Sequence, residues 1–186
     1  MKKIFVLAMM FLFMFSATAL ASDSVEKQRQ QINALHAKTL ERLYEKYPHA
    51  QRVINQCYAY ATLSNTGMKL GLFGSAHGRG LAVNNVTGER VYMRMEEQSV
   101  GVGLGVKEYD LVFLINTREA WDNFLIGKIR FAASAEAAAN DGVTGGSIEG
   151  AEYVAPGVWV FQMTTKGVSL EATLKGMKIF KNKKLN

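Results

Sequence analysis

The chain has 186 residues, 48% of them hydrophobic and 20% charged, which suits one domain with a substantial core. Twenty-two basic residues against sixteen acidic ones give +6, but Lys2, Lys3 and five lysines in the last twelve residues hold the excess, leaving −1 over residues 22–174. That distribution excludes an all-over nucleic-acid surface, and a single cysteine excludes an internal disulfide.

In chain order, Lys2 and Lys3 precede an unbroken apolar run from Ile4 to Phe15, too short to span a bilayer. Ala19-Leu20-Ala21 follows with the small-x-small pattern of a signal-peptidase site. Residues 1–21 therefore read as a cleaved secretory signal peptide, and the mature chain is expected in the periplasm. No cysteine follows the apolar run at the cleavage site, which argues against lipoprotein processing.

Residues 22–47 place Val25, Ile32, Leu35, Leu40, Leu43, Tyr44 and Tyr47 at mostly three- or four-residue spacing, the pattern of an amphipathic helix. Its near-balanced charge and weakly apolar early turns favour packing on the rest of the protein over independent membrane insertion. Pro48 ends it and opens a second helix over 49–63, with Ala50, Val53, Ile54, Cys57, Tyr58 and Ala61 on one face. Ser64-Asn65-Thr66-Gly67 reads as its stop. Cys57 then reads as a buried structural thiol.

All seventeen glycines lie at or beyond Gly67, so a helical first part gives way to a sheet-rich remainder. Residues 69–73, 80–84, 90–96, 100–107 and 110–115 read as strands. Asn84 to Gly88 supplies hairpin chemistry. Asn116 and Glu119 suggest a helix cap and capping box, Ala120, Trp121, Phe124 and Leu125 an apolar face, and Gly127 a stop. Residues 128–139 fit a helix by alanine content and a strand by the alternation of Ile129, Phe131, Ala133 and Ala135. Residues 140–150 read as a mobile loop, and Gly157–Thr165 with Gly167–Ile179 as a final hairpin pair.

The chemistry-bearing residues form no catalytic pattern. Gly101, Gly103 and Gly105 alternate inside a strand, with Val106 where a nucleotide loop would open a helix; close packing of the sheet explains them better. Ser75 has Phe73 two positions before it, not the glycine of a nucleophile elbow, and no acid lies near His77 to orient it. Residues 73–79 read as a hairpin turn with His77 and Arg79 outward, a place that could receive a phosphate or carboxylate. The three histidines lack ligand spacing, so no metal and no cofactor is expected. Glu96, Glu97, Glu108 and Asp110 read as solvated carboxylates at strand ends.

Several blocks together resemble the SYLF-domain proteins. They are Tyr47-Pro48 to Ala61, Gly78-Arg79-Gly80, the run from Ser99 to Val112, Phe131 to Ala137, and Thr165 to Ala172. The exported bacterial members of that family are commonly called lipid-binding. The resemblance implies an α+β fold: N-terminal helices, then a mainly antiparallel, partly closed, barrel-like sheet with one inserted helix near 117–126. It also implies a strand at 128–139 and no enzymatic activity. Residues 48–186 then form a single SYLF-like domain ending in a basic tail. Val91-Tyr92-Met93 departs from the family, which often has a tryptophan and proline there.

Export, the basic tail and the resemblance together point to a non-enzymatic envelope protein that binds phospholipid or an anionic membrane surface. Arg79, Lys107, Lys128 and Arg130 on the sheet, with Lys178, Lys181, Lys183 and Lys184 in the tail, are the candidate anion contacts. A structural role with an envelope protein partner and no lipid ligand is the alternative.

Overall fold

The computed structural model describes residues 2–129, 131, 148–166 and 177–186. Helix α1 spans Lys2–Lys46 and α2 spans Ala50–Gln56, followed by strands β1 (Ala59–Asn84) and β2 (Arg90–Ile115). Helix α3 (Arg118–Leu125) precedes β3 (Ala151–Ala155), β4 (Val158–Lys166) and β5 (Met177–Lys181). The fold is α+β, with N-terminal helices against an antiparallel sheet curled into a half-barrel. Among the described residues no helix is long and apolar enough to cross a membrane.

The spine is one long ribbon. β1 and β2 pair antiparallel from Ala59↔Ile115 out to Val83↔Arg90. Along the other side of β2, residues 108–115 pair with β4, while residues 93–97 pair with β5. β3 closes the far edge against β4. Residues expected as several short strands thus belong to two strands of 26 residues each.

The ribbon turns where its sequence predicts. The Asn84 side-chain oxygen accepts from the Val86 and Thr87 N–H groups at 2.9 and 3.0 Å, and Gly88 adopts φ +74°. The ribbon then curls back on itself. Asn85 N–H donates to the Tyr58 carbonyl (3.0 Å), bringing the hairpin tip to the start of β1. Gly78 and Gly80 cross the backbone at Thr62–Ser64. The register of β1 on β2 shifts between Gly71 and Phe73, part-way along the same strand.

Two apolar layers result. Inside the curl, Leu63, Met93, Met95, Leu111, Phe113 and Val160 pack with Trp121 and Phe124 of α3. On the outer face, Val112, Leu114, Trp159 and Phe161 lie under Leu43 of α1 and Ala50 and Ile54 of α2. The amphipathic segment before Pro48 does pack on the sheet.

Several local expectations need correction. The second helix stops at Gln56, and residues 59–63 are strand, because Ala59, Ala61 and Leu63 alternate into the core and find backbone partners on β2. Residues 73–79 are not a turn but the middle of β1, paired with residues 94–100. Thr117, not Asn116, caps α3: its hydroxyl accepts from Ala120 N–H at 3.1 Å, while Asn116 N–H donates to the Gly157 carbonyl. Gly127 (φ +71°) follows α3 as expected.

The basic end is not a free tail. Met177–Lys181 is strand β5, and the closing residues are pinned. Leu185 is buried, and the Asn186 side chain bonds both the N–H and the carbonyl of Tyr92 at 2.9 Å. β4 pairs with β3 and β2, and β5 with β2; the expected hairpin of Gly157–Thr165 with Gly167–Ile179 turns on residues 167–176, which lie outside the described residues. Residues 130, 132–139 and most of 140–150 lie outside the described residues, as do the expectations placed on them.

Candidate functional site

Strand alternation sorts the charged residues of the outer half of the ribbon. Met93, Met95, Met177 and Ile179 point into the core. The intervening positions point out. Directly paired residues share a face, so His77, Glu96 and Lys178 form one row across β1, β2 and β5, and Arg79, Arg94 and Phe180 form the next. His77, Arg79, Arg94 and Lys178 are exposed, and Phe180 is half-buried. The one acid in these rows, Glu96, pairs with Arg94 at 2.9 Å. The face is cationic in sum.

Of the expected anion contacts, Arg79 and Lys178 meet on this face. Lys183 and Lys184 lie exposed in the closing turn after β5, and Lys181 stands opposite Met93 at the exposed end of β5. Lys128 is exposed just past α3, on a separate cavity of about 440 Å³ lined also by Thr117, Asn123 and Pro156. Lys107 sits in β2 opposite Gly67, but its side chain lies outside the described residues, as does Arg130. Sequence reasoning missed Arg90, Tyr92 and Arg94. Their signal was the two-residue alternation that also carries Glu96.

Helix α1 borders this face. Ile32 packs with Leu81 and Leu185, joined by Val25, Val83 and Tyr92. Gln31 accepts from Arg79 at 3.5 Å, and Asn33 accepts from Arg90 at 3.4 Å while donating to the Tyr92 hydroxyl. Arg29 donates to the Leu185 carbonyl (2.9 Å) and lies over the Tyr92 ring.

Farther along α1 a polar seam joins helix to sheet. His36 Nδ1 contacts Thr62 Oγ1 at 2.8 Å, and Thr39 Oγ1 lies 3.3 Å from Ser64 Oγ. Asp110 accepts from Ser64 and pairs with Arg42. Asp110 is therefore no solvated strand end: it is buried, and the Arg42 guanidinium compensates its charge. Burial first, and Arg90 second, push the His36 imidazole down to about 4, so it is neutral at neutral pH.

The groups most able to do covalent chemistry are placed as structural parts. Cys57 is buried, donates to the Ile54 and Ala59 carbonyls, and has its pKa pushed up to about 11 by burial. Among the described residues no group of three or more His, Cys, Asp and Glu could hold a metal ion. Among the described residues, the outer face gathers the cationic side chains of Arg79, Arg94 and Lys178.

A protein-family profile described as "Ysc84: Las17-binding protein actin regulator" matches residues 96–186, which include β5 and most of β2. A curated relative, Beta cell expansion factor A of Aeromonas veronii, is 30% identical over 165 residues. That similarity covers 87% of this chain, and the chain spans 60% of the relative's length.

Proposed function

Because the chain belongs, over residues 96–186, to the SYLF-domain family, we propose that it is an exported envelope protein that binds anionic lipid surfaces without catalysing a reaction. One observation carries the reading: Arg79 and Arg94 stand directly opposite each other on an exposed sheet face. Like charges in that relation destabilise a sheet, and a phosphate between them relieves the repulsion with charge-assisted hydrogen bonds. Lys178, Lys183 and Lys184 extend the same sign outward. Each basic residue near an anionic membrane contributes about 1 kcal/mol, less as salt rises. The burial of Cys57, which pushes its thiol pKa up, supports the non-catalytic part.

Flotation with phosphatidylglycerol and phosphatidylcholine vesicles over a salt series tests the reading. The protein should float with the anionic vesicles, and a variant carrying R79A, K178A, K183A and K184A should bind at least about tenfold more weakly. Equal flotation with both vesicle types, or an unchanged variant, would refute it. Export has its own test: the N-terminus of the protein recovered from the periplasm should be Ser22, and retention of residues 1–21 in the cytoplasm would count against it.

A protein-binding role without lipid is the second reading, favoured by the family description, which names a protein partner. Among the described residues, Val86 at the ribbon tip and Ile126 after α3 are the exposed large apolar side chains available to such a partner. Recovery of one stoichiometric partner, with no vesicle flotation, would select it.

A further inference from the structure

We propose that residues 24–36 of α1 form a displaceable strap that holds Arg79 and Arg90 with neutral amides until an anionic headgroup replaces them. This rests on the lipid-surface reading above and adds how that surface is uncovered.

The strap gives both guanidiniums weak partners. Arg79 bonds Gln31 and Arg90 bonds Asn33 through long contacts to uncharged carbonyl oxygens, and neither reaches a carboxylate within 4 Å among the described residues. A charged oxygen is a stronger acceptor for arginine than a neutral one, so a phosphate competes favourably for both.

The strap is also loosely seated. Its apolar anchorage is a small cluster around Ile32, Leu81 and Leu185, separate from the two larger cores. Among the described residues of the strap the buried polar side chain is His36, which meets Thr62 of the sheet. Polar contacts of this kind exchange with water at a modest net cost, unlike buried hydrocarbon. The helix beyond the seam is held differently: Leu43 is fully buried with Phe161 and Trp159 in the outer core, and Arg42 is paired with Asp110. Residues 24–36 can therefore leave while residues 37–46 stay.

Departure would uncover an apolar patch of Leu81, Val83 and Tyr92, rimmed by Arg79, Arg90 and Arg94. An apolar centre with a cationic rim suits an anionic bilayer interface, where phosphates meet the arginines and acyl chains meet the patch.

The test replaces the neutral amides by isosteric carboxylates. Gln31→Glu with Asn33→Asp gives both arginines charged partners and should hold the strap shut. The control, Gln30→Glu with Ala34→Glu, adds the same charge at positions two residues either side of Ile32, about 200° around the helix from it. Phosphatidylglycerol flotation at fixed salt should fall at least fivefold for Q31E/N33D relative to the control, with the melting temperature no lower than wild type. If Q31E/N33D floats as well as the control, the strap is refuted while the lipid reading stands. If wild type itself fails to float, the lipid reading falls and takes the strap with it.

Discussion

A Cβ placed on Gly80 would overlap the carbonyl oxygen of Thr62, within the same strand β1. The two positions are eighteen residues apart and meet because the ribbon folds over itself. Gly78 makes the neighbouring approach, 3.0 Å from its ideal Cβ to the Ser64 carbonyl oxygen. The small residues at 78 and 80 thus serve a backbone crossing in the middle of a strand, which neither a hairpin turn nor a phosphate loop would require.

Gly80→Ala should accordingly destabilise the fold by about 3 kcal/mol or more, since the obstacle is backbone and cannot rotate away. Gly88→Ala provides the contrast. Gly88 has φ +74° and open space around it, so only local strain of about 1 kcal/mol is expected. Urea denaturation of the two variants decides the matter, and equal losses would mean that the crossing can relax.

Acid should weaken the seat of α1 through His36. Its pKa is lowered from 6.5 to about 4 in the folded protein, so the unfolded chain takes up the proton first as pH falls. The stability due to the neutral ring is complete above pH 6.5 and is lost progressively down to about pH 4, amounting to about 3 kcal/mol in all. His36→Asn keeps a hydrogen-bonding group near Thr62 but cannot titrate. The difference in urea midpoint between wild type and this variant should shrink as pH falls from 7 to 4.5; a constant difference would show that His36 does not titrate on unfolding.

Cys57 should be silent toward thiol reagents in the native protein. Its thiol is buried, bonded to two carbonyls and pushed up to about 11 by desolvation. Ellman's reagent at pH 8 should modify it only after urea is added, with one equivalent released. Prompt native labelling would mean that the junction between α2 and β1 opens readily.

Much of the local structure was legible because its causes are local. Asn84 and Gly88 make the ribbon turn with groups two to four residues apart, and Ala120, Trp121 and Phe124 form the buried face of α3 within two turns. The cap of α3 was misplaced by one residue because Asn116 has a distant obligation, to the Gly157 carbonyl. Residues 59–63 illustrate the same limit: a short apolar stretch after a helix suits either period until its partner strand is known.

The candidate site divides along the same line. Composition and order alone determined that positive charge collects at the end of the chain and that glycine begins at residue 67. Only the tertiary structure decided that Arg79, Arg94 and Phe180 form one row, that Asp110 is buried against Arg42, and that the lysine-rich end is strand and turn. The physical reason is register. Which residues become neighbours across a sheet depends on pairing between distant segments, and a slip of one position would send every side chain of a strand to the opposite face.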